Sequence, residues 1–199
     1  MKALIEPSLQ SGLGCAQINR GYANVRKPQF CRPVANVGEK LDTVGHGALI
    51  VETSAWANEA ATQAWATALS TKPALHNAII ELHGELGAGK TTLVRHLLRA
   101  LGVQGRVKSP SYAVVEPHQV GNLAISHFDF YRFTDPREWE DAGFRDTFAA
   151  PGLKLIEWAD NARAALPVPD LSLHITVLAD DSRSVVIKAW TAVGQALLA

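Results

Sequence analysis

Apolar and polar positions along the chain follow two periods, and the places where the period changes mark the expected elements. Ala48 to Val51 is a short run of β type, after which Thr53 or Ser54 is placed to cap an alanine-rich helix reaching about Leu69. Within that helix Trp56, Ala60, Gln63, Ala64 and Thr67 recur at three- and four-residue spacing and define its expected face. Pro73 ends the segment, because its ring cannot continue a helix. Ala78 to His83 reads as a buried strand that runs directly into Gly84. Beyond a glycine-rich stretch, Leu93, Val94, Leu97, Leu98 and Leu101 line one face of a second helix, with Gly102 as its stop signal.

The second half is richer in strands. Tyr112 to Glu116 and Leu123 to Phe130 flank the segment Pro117 to Asn122, which predicts an antiparallel pair. Asp135-Pro136 opens a short helix, with aspartate at the cap and proline at the first helical position. Leu153 to Trp158 is a further strand, followed by a helical stretch that Pro167 and Pro169 close off. Leu171 to Leu178 and Ser184 to Trp190 form a last hairpin across Ala179 to Ser182. Strand, glycine loop, helix and then alternating elements predict an α/β protein. The expected architecture is a P-loop NTPase-like three-layer fold, and the two hairpins make its sheet mixed parallel and antiparallel.

At 199 residues the chain has enough material for one core. Residues 47–199 are expected to form that domain, and 1–46 an N-terminal extension. Six of the first 40 residues are basic (Lys2, Arg20, Arg26, Lys27, Arg32, Lys40) and two acidic (Glu6, Glu39), with scattered apolar positions. That composition reads as a disordered tail, with a start placed too far upstream or a targeting segment as alternatives. The formal net charge is +0, which argues against an extended surface for nucleic acid or for an anionic membrane. Cys15 and Cys31 do not make a disulfide framework. With no apolar run near the roughly 20 residues that span a bilayer, no membrane association is expected and the default compartment is the cytoplasm.

Gly84-Glu85-Leu86-Gly87-Ala88-Gly89-Lys90-Thr91 fits G-x-x-x-x-G-K-[ST] at every fixed position. The spacing has a physical reason. Small residues let the backbone wrap a polyphosphate so that several N–H groups converge on it, and the following helix presents its positive end. Lys90 then reaches the β- and γ-phosphates, and the Thr91 hydroxyl is a ligand for Mg2+. A carboxylate at a neighbouring strand end usually assists the metal, and Asp129 and Glu157 both close apolar strands. Ser109-Pro110-Ser111-Tyr112 lies where nucleotide switches carry a hydroxyl-bearing loop, although an ordinary proline turn has the same pattern. The seven histidines show no metal-ligand spacing, and His83, His96 and His127 read as structural.

The ordered set formed by Gly84 to Thr92, Val107 to Tyr112, Val115-Glu116-Pro117, His127-Phe128-Asp129-Phe130-Tyr131-Arg132 and Ile156-Glu157-Trp158 resembles the bacterial TsaE (YjeE) family over roughly residues 50 to 190. The resemblance implies an ATPase of the pathway that places threonylcarbamoyladenosine in tRNA. It implies weak activity alone, partnership with the TsaD and TsaB proteins, only indirect dealings with tRNA, and a role in resetting the ligase complex. It further implies that Gly87, Ala88, Gly89, Lys90, Thr91 and Thr92 hold the phosphates of ATP, with Ser111 in a switch-like loop nearby. Thr91, Glu157 and Asp129 serve Mg2+, and Lys90, Asp129 and Glu157 carry the catalytic roles. By position, the adenine contacts fall near Glu59 and Arg183. Ser111 stands where the family usually has threonine, and the hydroxyl is kept.

A small-molecule or nucleotide kinase is the main alternative, with Arg132, Arg137 and Arg145 read as an arginine-bearing lid. A GTPase fits less well, since no Asn-Lys-x-Asp guanine motif occurs. A nucleotide-gated scaffold differs from the leading reading only in degree.

Overall fold

The computed structural model describes residues 49–134, 139 and 143–199. The expected extension over 1–46, the two cysteines and the helix opened by Asp135-Pro136 lie outside the described residues. In chain order the elements are β1 (Ile50–Trp56), α1 (Glu59–Ser70), β2 (Ile79–His83), α2 (Lys90–Leu101), β3 (Val115–Val120), β4 (Leu123–Asp129), α3 (Phe144–Ala149), β5 (Leu153–Glu157), β6 (Leu171–Val177), β7 (Arg183–Ala189) and α4 (Ala192–Leu198). Short 3-10 turns occupy Pro73–Asn77 and Ala159–Ala162.

The seven strands form one sheet in the order β1-β7-β6-β2-β5-β4-β3. The central four, β6, β2, β5 and β4, are mutually parallel, and antiparallel strands are added at both sides. The expected mixed sheet is therefore present, with the parallel strands innermost, where both faces are covered.

Strand alternation separates two cores. On one side Ile80 and Leu82 of β2, Leu153 and Leu155 of β5, and Leu171, Leu173 and Ile175 of β6 meet Ala66 and Leu69 of α1 and Leu93, Val94, Leu97 and Leu98 of α2. The four α2 residues are at most 2% exposed, so truncating any leucine among them to alanine costs about 2–5 kcal/mol. On the other side Phe128 and Ile156 pack with Phe130, Phe133, Trp139 and Phe144. Edge-to-face contacts such as Phe128 against Phe144, 5.5 Å apart, order that cluster.

Three local expectations are corrected. Thr53 and Ser54 are strand residues of β1, and the cap of α1 is Asn58, whose side chain accepts from Ala61 N at 3.1 Å. The buried face of α1 is Thr62, Ala66 and Leu69, while Ala60, Gln63, Ala64 and Thr67 are exposed. In an alanine-rich helix small residues are compatible with either face, so the sequence period is weak there. Pro117 to Val120 belong to β3, and the turn is only Gly121-Asn122. β3 is an edge strand, where proline loses no ladder bond that the sheet needs.

One ionic network braces the sheet on the side away from α2. Glu81 is buried and accepts two bonds from Arg163, at 2.8 and 2.6 Å. His83 bridges Glu81 Oε2 at 3.1 Å and Asp160 Oδ2 at 3.2 Å, and its ring stacks on His174 at 4.4 Å. Burial opposes charge on both Glu81 and His83. The bonds outweigh it, holding Glu81 below and His83 above their ordinary values of 4.5 and 6.5. Arg163→Met strands part of a buried carboxylate and is expected to lower urea-unfolding stability by about 1–3 kcal/mol. The His83 contribution is complete below pH 6.5 and fades as pH rises through its raised folded value. The Glu81 contribution is complete above pH 4.5 and fades as pH falls through its lowered value. The stability difference between the wild-type chain and His83→Gln is therefore expected to shrink from pH 6.5 towards pH 8, which urea titrations at several pH values will read directly.

Candidate functional site

β2 carries the chain through the middle of the sheet and releases it at Gly84, the first residue of the loop. Gly84 has φ 138°, and a Cβ there would collide with the Ile175 carbonyl on β6, so only glycine admits this close passage. Gly87 and Gly89 also adopt positive φ, at 83° and 110°, and Gly89 caps α2. The first N–H groups of α2 have no acceptor within the helix and face the loop's concavity. Two properties expected of a phosphate cradle, a compact backbone and a positive helix end, are thus built by local sequence.

Lys90 is buried, and its Nζ donates to the Gly84 and Glu85 carbonyls at 2.6 and 2.9 Å while lying 4.1 Å from the centre of the Trp158 ring. Burial lowers its pKa, against the opposing pull of Glu157, Asp129 and Glu85. Trp158 itself holds φ 59°, a left-handed conformation uncommon for a bulky residue, directly after the strand-end acid Glu157.

Parallel registration brings the two acids together. Asp129 of β4 lies opposite Glu157 of β5, and Glu157 opposite Leu82 of β2. Both acids are buried, at 3% and 2% exposed. Glu157 Oε2 accepts from the Thr91 hydroxyl at 2.8 Å, and Oε1 lies 2.9 Å from His127 Nε2. Asp129 accepts from the Ser109 hydroxyl and, at 2.9 Å, from Tyr131 N, so it ties the Ser109-to-Tyr112 loop to the strand end. That loop closes on Val114, a β-branched residue at φ 65° whose N–H bonds Pro110 O and whose carbonyl accepts from Asp129 N.

These groups line one cleft of about 400 Å³, which contains Gly87, Gly89, Lys90, Thr91, Thr92, Ser109, Ser111, Asp129, Glu157 and Trp158. A smaller cavity of about 200 Å³ shares Gly87, Gly89 and Thr92 and adds Ala88, Trp56, Glu59, Thr62, Ile175 and Arg183. Glu59 and Arg183, far apart in sequence, are thus brought to the same pocket beside the loop. Glu59 is held there by His96 of α2, 2.9 Å away.

Every phosphate, metal and adenine candidate named from the sequence lines one of these two cavities. Of the arginines of the alternative lid, the two among the described residues line different cavities. Arg132 lines the cleft and lies 4.3 Å over the Tyr112 ring, Arg145 lines a separate cavity with Trp139, and Arg137 is outside the described residues. His127, which reads as structural from the sequence, joins the site through Glu157, a contact that depends on the register of β4 with β5.

Among the described residues no group of three or more His, Cys, Asp and Glu is disposed to hold a metal. A magnesium ion fits this site in another way, since it takes one or two protein ligands and completes its octahedron with phosphate and water. Thr91 with Glu157 and Asp129 makes such a sparse, hard-oxygen set. No helix among the described residues is long and apolar enough to cross a membrane.

Comparisons with known proteins converge on one family. The model of the TsaE family, "Threonylcarbamoyl adenosine biosynthesis protein TsaE", matches residues 56–185. The TsaE protein of Haemophilus influenzae is 42% identical over 120 residues, covering 60% of this chain and 75% of that protein. The TsaE protein of Bacillus subtilis is 36% identical over 128 residues, covering 64% and 76%. The crystal structure of Bacillus subtilis YdiB superposes with TM-score 0.63 at 26% identity, covering 75% of this chain and 93% of that one. The family model spans both halves of the cleft, from Trp56 and the glycine loop to Glu157 and the last hairpin, and on that ground this chain belongs to the TsaE family.

Proposed function

We propose that this chain is a magnesium-dependent ATPase that acts with TsaB and TsaD in forming threonylcarbamoyladenosine on tRNA. The observation that carries the reading is the convergence of Lys90, Thr91, Asp129 and Glu157, from three separate elements, on one open cleft beside a helix N-terminus. The names of the related proteins support the pathway.

In this reading the triphosphate lies along Gly87 to Thr92, and adenosine enters the cavity of Glu59 and Arg183. Lys90 exchanges its two carbonyl acceptors for phosphate oxygens. Because those acceptors and the Trp158 face are local, the ammonium stays close to its post whether or not phosphate is bound. Thr91 donates its hydrogen to Glu157 and so turns its oxygen lone pairs outward, the orientation a cation ligand needs. Magnesium, when bound, supplies charge neutralisation on the phosphate oxygens. Hydrolysis joins a water oxygen to the terminal phosphorus and breaks its bond to the bridging oxygen, leaving ADP and phosphate.

Asp129 accepts from Ser109 and Tyr131 N and so holds the switch-like loop, Ser111 included, near the γ-phosphate position, while its remaining lone pairs support the metal or the attacking water. In this reading that loop, with Ser109 and Ser111 lining the cleft and the adjacent Tyr112 85% exposed, is the rim of the cleft. Turnover that waits for TsaB and TsaD follows if those partners settle the rim, and resetting their complex is the work that such gated hydrolysis would perform.

Glu157→Gln keeps the side chain's shape while removing its charge. It is expected to lower magnesium-dependent turnover by about a hundredfold with little change in melting temperature. Lys90→Ala is expected to lower turnover at least as much; normal ATP hydrolysis in both variants would exclude this cleft as the active site. Adding TsaB and TsaD to the purified chain is expected to raise its ATPase rate. Depleting the chain in its host is expected to remove threonylcarbamoyladenosine from bulk tRNA, as nucleoside analysis will show, and persistence of that nucleoside would return the kinase reading to the front.

A further inference from the structure

On the reading above Glu157 is the carboxylate that serves the metal, and the bonds around it give a task to a residue outside the phosphate loop. His127 of β4 is fully buried, with Nε2 2.9 Å from Glu157 Oε1. The other oxygen of Glu157 takes the Thr91 hydroxyl at 2.8 Å. The carboxylate is therefore gripped at both ends. An ionised carboxylate only accepts, so it is Nε2 of His127 that donates in this bond.

His127 Nδ1 is buried and has no hydrogen-bond partner. A core residue chosen for stability alone is expected to have both imidazole nitrogens bonded to the protein around it. What the imidazole brings to this place is the single bond to Glu157. Its neighbours along β4, Ser126 and Phe128, point to the opposite face by strand alternation, and of the residues on its own face Ile125 is apolar and Asp129 an acceptor, so neither can donate to Glu157 in its place.

We infer that His127 is a positioning residue for the metal site: it fixes the Glu157 carboxylate so that Oε2 captures the Thr91 hydrogen and leaves the hydroxyl lone pairs aimed at the cation. Without it Glu157 is free to rotate, and the Thr91 hydroxyl loses its fixed acceptor. The expected signature is a defect in metal affinity. Contacts of the phosphate loop with the nucleotide do not pass through His127 and are left intact.

The test uses the full chain and two titrations: magnesium against ATP hydrolysis, and ATP binding in excess EDTA. His127→Leu, similar in bulk and unable to donate, is expected to raise the half-saturating magnesium concentration about 10–100-fold. Its ATP affinity in EDTA is expected to stay at the wild-type value. His127→Gln puts an amide nitrogen near the place of the imidazole Nε2 and is expected to restore the wild-type magnesium requirement. Should the leucine variant fail to fold, His127→Asn, whose shorter amide cannot reach Glu157, takes its place with the same expected rise. An unchanged magnesium requirement in the leucine or asparagine variant, or a glutamine variant as impaired as either, overturns the inference. Failure of the underlying metal reading looks different, because wild-type protein would then bind ATP no better with magnesium than in EDTA.

Discussion

Three parallel strands that end together are the constraint on which this structure depends. β2, β5 and β4 run side by side, so the glycine loop, Glu157 and Asp129 emerge at one edge of the sheet. Two acids in register on neighbouring strands, both nearly excluded from solvent, repel each other strongly unless each has its own donors. The fold supplies them separately: Thr91 and His127 for Glu157, Ser109 and Tyr131 N for Asp129. Lys90 stands next to both as the shared cation. Each donor comes from an element that also shapes the cleft, so satisfying the buried charges and building the site are one and the same requirement.

The two faces of the sheet divide the labour. Towards α1 and α2 an apolar core lies beside the buried His127, Asp129 and Glu157, and close packing of α2 on that core positions the loop's helix end. Towards the other side, Glu81 and His83 lead into Gly84, while Asp160 and Arg163 follow Trp158, and these four side chains are bonded together. The segments that enter the glycine loop and leave Glu157 are therefore tied beneath the site. The same network floors a groove of about 530 Å³ with Ser172, His174, Lys188 and Trp190.

Much of the candidate site was legible in sequence because the features that mark a phosphate loop are local. Backbone amides, a helix end, a lysine and a hydroxyl occur within eight consecutive residues, and steric rules for glycine dictate their spacing. The apolar stripe of α2 and its Gly102 stop were legible for the same reason. Legibility failed where local preference is weak or overruled by neighbours. The alanines of α1 suit either face, and Pro117 argues against a strand until β3 is seen to be an edge. His127 looked like plain core, since its purpose is a bond to a residue 30 positions away.

By itself, then, the sequence determined the phosphate loop, the alternation of strands and helices, and the short menu of acids able to serve a metal. Those features follow from interactions between residues close along the chain. Only the tertiary structure decided which oxygen of Glu157 meets Thr91, which meets His127, that Asp129 anchors the switch-like loop, and that Glu59 and Arg183 share a pocket. Strand register sets these pairings, and register is a property of the whole packed sheet, because shifting one strand by a single residue would turn every one of its side chains to the opposite face.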